Sequence, residues 1–232
     1  MKNIRFDIVR KQILVFTGII TTGLIFIFTL LLPAVAAEEA ETNSTAVNYK
    51  NKHCLNQQGI IKPKIAEQII KEKAQKVIKA IACRNFNKLS NYIHPEKGVR
   101  FSPYTYVRIE KDVVFTKKQV NNFFNNDKIY LWGHYDGSGK EIRLSPKEYY
   151  HQFIYTDNFI NADKIGYNEV LSSSNMIKNQ FEVYENPIIV EYYFSDTKTK
   201  YDGMNWKSLS LVFEKYKSKW MLRGIIHNQW TI

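Results

Sequence analysis

The 232-residue chain is long enough for one domain and a short extension. Its 44% hydrophobic and 24% charged residues, with only ten Gly and six Pro, exclude a low-complexity polymer or a mostly linker-like chain. The formal charge of +11 favours acidic partners such as anionic headgroups, wall polymers or glycans, although a solvated lysine surface accounts for the same excess.

The N-terminus carries Lys2, Arg5, Arg10 and Lys11 against one acid, Asp7, followed by an uncharged run from Ile13 to Leu32. Pro33 and the small residues Ala34-Val35-Ala36-Ala37 come next. A basic start, an apolar middle and an A-x-A site are the signature of a secretory signal peptide cut after Ala36 or Ala37. Residues 13–32 are also long enough to span a bilayer, so an uncleaved anchor stays open as the alternative. Either way residues 40–232 are expected outside the cytoplasm, because the basic end stays inside. No Cys follows the apolar run closely, so nothing points to a lipid-anchored lipoprotein. Loss of residues 1–37 leaves 29 basic and 21 acidic residues, a net charge of +8. Nucleic acid is set aside as a target outside the cell.

Residues 38–60 read as a flexible tether and 61–232 as a single domain. Pro63 opens a helix with Ile65, Ile69, Ile70, Val77, Ile78 and Ile81 at helical spacing, and Phe86, Leu89 and Ile93 continue the period up to Pro95. Cys83 ends the first helix about 30 Å from its start. The stretch from Cys54 to Pro63 spans at most about 30 Å. A Cys54–Cys83 disulfide therefore needs that stretch to lie straight along the helix; the alternative is two thiols, with Cys83 packed in the core.

The block His94–Tyr104 is rich in turn residues, and Tyr104–Ile109 alternates like a strand. Val113–Phe115 is a short apolar run. Thr116-Lys117-Lys118-Gln119 and Ser145-Pro146-Lys147-Glu148 have the form of capping boxes. Between them, Ile129–Tyr135 and Glu141–Leu144 read as a hairpin around Asp136-Gly137-Ser138-Gly139. The second box opens a helix carrying Tyr149, Tyr150 and Phe153. Ile177–Tyr184 and Ile188–Phe194 read as strands, and Trp206–Tyr216 with Lys219–Asn228 as a hairpin about Lys217-Ser218. Leu209, Leu211 and Phe213 share one face of its first strand; strict alternation puts Trp220, Leu222, Gly224 and Ile226 on one face of the second. Helices first and long antiparallel strands last give an α+β order.

In that order the chain over residues 63–230 resembles the nuclear-transport-factor-2-like superfamily. The resemblance implies a cone in which a long helix lies across a curved antiparallel sheet and leaves a pocket at the open end. HPEKGVRFSPY at 94–104, WGHYDGSG at 132–139 and the terminal SLSLVFEKYKSKWMLRGIIHNQWT are similar to an uncharacterised family of exported bacterial proteins, which implies fold and location and brings no catalytic residue.

Among residues able to carry chemistry, His94 beside Glu96 forms a candidate acid–base pair, and His227 on the terminal strand can face the mouth of a cone. His94-Pro95 closing a helix is the plainer account. His134 and Asp136 sit at what is most simply a hairpin tip. Arg100 and Arg223 are candidate anion ligands. Tyr104, Tyr106, Trp132, Tyr135, Tyr149 and Tyr150 either line a cleft that stacks sugars or aromatic ligands or fill the core, and Tyr104 and Trp132 are the candidates for the cleft. Five His without H-E-x-x-H or close Cys pairs set aside a metal site, and no cofactor is expected. No G-x-S-x-G elbow is present. The expectation is a non-catalytic binding module for an anionic or amphipathic envelope ligand or a protein partner. The alternatives are a small enzyme using a His/carboxylate pair and a structural envelope component. The membrane enters only through residues 13–32.

Overall fold

The computed structural model describes residues 54–172, 176–195 and 205–230. The expected export segment and most of the expected tether, including residues 13–32, lie outside the described residues. No described helix is long and apolar enough to cross a membrane.

Helix α1 (Pro63–Ala82) starts on its proline and buries Ile70, Val77, Ile78 and Ile81 of the expected stripe together with Ala66 and Ala74, while Ile65 and Ile69 pack half-buried against the core. It ends in a Schellman motif. Arg84 takes a left-handed φ of 53°, its amide donates to Ile81 O, and Asn85 N donates to Ala80 O. Cys83 caps the helix here and is exposed. Cys54 sits at the opposite end, where its carbonyl accepts from Lys62 N at 2.9 Å. The two sulfurs are therefore held at opposite ends of a 20-residue helix, about 30 Å apart. Both are free thiols. The disulfide is not formed, and Cys83 is not a core residue.

Short α2 (Phe86–Ser90) leads into β1 (Val99–Ser102), β2 (Val113–Phe115) and α3 (Lys117–Asn121). A separate hairpin pairs β3 (Tyr130–His134) with β4 (Glu141–Leu144) and runs into α4 (Pro146–Tyr149), whose chain continues as one π-helical turn over Tyr150–Ile154. Both capping boxes form as the sequence predicts. The rest is β5 (Lys164–Tyr167), α5 (Gln180–Val183), β6 (Ile188–Phe194), β7 (Lys207–Tyr216) and β8 (Lys219–Gln229). The main sheet has the order β2-β1-β8-β7-β6-β5, antiparallel except where β1 runs parallel to β8. This is an α+β architecture with helices on a largely antiparallel sheet.

One face of the sheet meets α1, α2 and the aromatic group of Phe86, Phe101, Phe115, Phe123, Trp132 and Tyr149. The other carries a smaller apolar cluster of Val107, Tyr184, Ile189, Val212 and Ile226. Leu209, Leu211 and Phe213 share the first face as expected. On β8 the alternation breaks. Val212 pairs with Gly224 and Phe213 with Leu222, leaving Arg223 as a β-bulge. Trp220 and Leu222 therefore face the main core, Ile225 takes over that face, and Gly224 and Ile226 point to the other. The single-face expectation for Trp220, Leu222, Gly224 and Ile226 is corrected by this extra residue. A Cβ on Gly224 would stand 2.5 Å from the Tyr184 hydroxyl oxygen. Gly224→Ala is accordingly expected to cost about 1–3 kcal/mol by overpacking, read as a lower urea midpoint at unchanged m-value.

Two expected strands are not strands. Tyr104–Ile109 is irregular, and Ile177–Tyr184 is a loop ending in α5. Their backbones are satisfied by side chains instead. Val107 N donates to Asn179 Oδ1 (2.9 Å), Asn179 Nδ2 to Val107 O (3.0 Å), and Gln180 Nε2 to Thr105 O (3.1 Å) and Oγ1 (2.8 Å). The buried Asn179 and Gln180 thus clasp the two segments over the second face of the sheet.

Candidate functional site

The expected acid–base pair does not assemble. His94 is buried, and its Nδ1 accepts the backbone amides of Glu96 (3.3 Å) and Lys97 (3.0 Å), closing a turn that ends at Gly98 with φ of 66°. A nitrogen holding two amides is not free to take a substrate proton. Burial pushes the imidazole pKa below its ordinary value, and the nearby Lys97 ammonium adds to this. The Glu96 carboxylate turns away and accepts from the Tyr216 hydroxyl at 2.9 Å. His227 lies on β8 five residues beyond Leu222, whose carbonyl accepts from His94 N. That places the two histidines about 16 Å apart along the strand. His227 is fully buried edge-on to the Phe153 ring, and neither ring nitrogen meets a partner at hydrogen-bonding geometry among the described residues. His94, Glu96 and His227 are thus engaged separately and do not converge on one site.

Arg100 and Arg223 do come together on the second sheet face, because Arg100 stands opposite Gly224, next to the bulge. They are sealed in rather than open to a ligand. Arg100 is buried, and its Nη1 donates to the carbonyls of Ile109 (2.6 Å), Arg108 (3.2 Å) and Asp112 (3.4 Å). Arg223 pairs with buried Glu214 at 3.5 Å and lies over the Tyr184 ring. Trp132 is likewise a core residue. It is fully buried, stacks on Tyr149 with centroids 3.7 Å apart, and donates from Nε1 to Leu144 O at 2.9 Å. Tyr149 and Tyr150 are buried with it. Of the seven candidate residues in the catalytic and ligand sets, Tyr104 lines a cavity.

That cavity, of about 250 Å³, lies between the β3–β4 hairpin tip and the loop from Pro103 to Asp112. Its walls combine Tyr104, Tyr106 and Tyr135 with Arg108, Asp112, His134 and Asp136, and Met176 closes one side. Each wall has a local cause. The β3–β4 register shifts between Leu131 and His134, so Trp132 points into the core while exposed His134 lines the cavity. The residue at the shift is Gly133, with φ of 148°; a Cβ there would stand 3.2 Å from Pro103 Cγ and 3.8 Å from Arg108 Nη1. The Tyr104 hydroxyl accepts from Asp136 N at 3.1 Å, fixing the hairpin tip to the loop. The Tyr135 hydroxyl donates to Gln152 Oε1 at 3.0 Å. Asp112 is buried, and its Oδ2 accepts from the Ser102 hydroxyl and from Arg108 N (3.0 Å). Burial raises the Asp112 pKa, with these two hydrogen bonds opposing. Arg100, through its three carbonyl contacts, holds the loop that carries Arg108 and Asp112.

Arg108 and Asp112 carry no sequence signal beyond being charged residues in a short loop; only burial distinguishes Asp112. A larger cleft of about 430 Å³ beside Leu55, Ile60, Phe181 and Pro187 contains no titratable side chain, so it offers shape without chemistry.

No protein-family model matches the chain, and no curated protein does. Among solved structures it matches a calcium/calmodulin-dependent protein kinase II association domain from Xanthomonas campestris, at 14% identity over 69% of this chain and 84% of that one. The TM-score is 0.29, too low for the superposition to bear on fold or function.

Proposed function

We propose that the protein is an extracytoplasmic, non-catalytic binding module that holds a small envelope ligand in the Tyr104–His134 pocket. The single observation that carries this reading is the pocket wall, where three tyrosines meet both signs of charge in a space suited to a small molecule. The export-type segment at residues 1–37 supports the location. The α1 helix laid on a six-stranded sheet supports a nuclear-transport-factor-2-like cone as the finer description of the fold. A structural envelope role is less well served, since it has no use for a pocket of this size.

One observation favours a second reading as an enzyme: Asp112 is a buried carboxylate with a raised pKa on a pocket wall, the environment of a general acid. Native mass spectrometry of the full chain, purified from its own envelope fraction without reduction, separates the two. The binding reading expects a retained non-covalent mass that is lost on Arg108→Ala/His134→Ala. It also expects Asp112→Asn to leave the retained ligand chemically unchanged. Turnover of envelope components by the wild type that Asp112→Asn abolishes would replace it with the enzyme reading. The same spectrum reports whether the chain starts near Glu38.

A further inference from the structure

The charge on the pocket wall does not follow the charge of the whole chain. The protein is strongly basic, yet the pocket holds two carboxylates, Asp112 and Asp136, against one guanidinium, Arg108, and His134. With Arg100 close behind Asp112, two guanidinium groups balance the two carboxylates, so the space offers an anion no net attraction of the kind the whole chain's charge suggests. The aromatic groups differ in kind from those of the core. Trp132 and Tyr149 spend their faces on each other, whereas Tyr106 is 48% exposed and lines the pocket. An exposed tyrosine ring offers a face for C–H-rich surfaces and a hydroxyl for hydrogen bonding. Carboxylates accept and guanidinium groups donate, so the wall can satisfy hydroxyls that need both. Arg100 and the Ser102 hydroxyl hold Asp112 and its loop in place, so the polar groups are positioned before any ligand arrives.

From this we infer that the pocket takes a neutral or amino saccharide, one ring stacking on Tyr106 and its hydroxyls shared among Asp136, Arg108 and His134. The inference rests on the binding reading above and narrows its ligand. It departs from the anionic ligand that overall charge suggests.

The experiment is a glycan array carrying neutral, amino and acidic oligosaccharides, probed with the labelled full chain and three variants. Binding to neutral or amino glycans is expected, weakened about two- to tenfold by Tyr106→Ala and kept by Tyr106→Phe. A Lys215→Glu/Lys219→Glu variant, which changes surface charge on the distant β7–β8 turn, should bind as the wild type does. Binding confined to acidic glycans, or lost in the lysine variant and untouched by Tyr106→Ala, overturns the inference, as does an array with no bound glycan. A non-saccharide mass retained through Arg108 and His134 in the native spectrum would then leave the binding reading standing alone. No retained mass would remove both.

Discussion

Trp132→Ala is expected to destabilise the domain by about 3–5 kcal/mol, the range for deleting a large buried aromatic. The indole is fully buried and lies at the centre of contacts with Phe101, Phe115, Tyr130 and Tyr149. Its removal also strands the Leu144 carbonyl that accepts from Nε1. Trp132→Phe keeps most of the apolar area and loses the hydrogen bond, so it should fall well short of the alanine loss. Urea unfolding followed by far-UV circular dichroism measures both. A ligand-stacking tryptophan would behave differently, with little change in stability and a large change in binding. A shift under 1 kcal/mol for the alanine variant would return Trp132 to the ligand site.

The second large effect is set by pH. Burial holds the His227 pKa down to about 4 from an ordinary 6.5. The unfolded chain therefore binds more protons than the folded one between those values, and stability falls as pH drops from 6.5 towards 4. A shift of that size corresponds to about 3 kcal/mol. His94 is also depressed and pulls in the same direction. The raised pKa of Asp112 pulls the other way, because the folded state keeps that proton more readily and gains stability as the pH falls through the raised value. His227 is isolated by comparing the wild type with His227→Leu at pH 7.5 and pH 4.5. The wild type should lose most of 3 kcal/mol more than the variant over that interval. Equal losses would mean that His227 is solvated or charged in the folded protein.

What could be read from the sequence was what is local. The α1 helix, both capping boxes and the β3–β4 and β7–β8 hairpins follow from residues a few positions apart, and each of these elements forms. What could not be read depends on contacts distant in sequence. Tyr104–Ile109 and Ile177–Tyr184 have strand-like residues, but Asn179 and Gln180 satisfy the first segment's backbone across more than 70 positions. Val99–Ser102 falls inside the turn-rich block His94–Tyr104 and is an interior strand because β8 lies beside it. The extra residue at Arg223 reverses the face of everything after it, and no alternation pattern announces it. At the pocket, Tyr104 and Tyr135 stand among six aromatics that either line a cleft or fill the core, and His134 and Asp136 read most simply as a hairpin tip; nothing in the sequence joins the two sets. Their selection over Arg100, Arg223, His94 and His227 required burial and register, neither of which a linear spacing contains.

The parallel pairing of β1 with β8 also sets an order of events. Arg100 meets Gly224, and His94 donates its amide to Leu222, so the first described strand of the main sheet finds its inner neighbour only in β8, more than 100 residues later. Whatever process delivers the N-terminus first leaves β1 with an open edge until Lys219–Gln229 arrives. Over that interval Arg100 has β2 alone to pair with, and the loop it holds has no finished sheet behind it. Closing this fold is thus a long-range step, slow by topology and exposed to edge-to-edge association while it waits. The Tyr104–His134 cavity, whose wall depends on that loop, is therefore completed only after Lys219–Gln229 has been added.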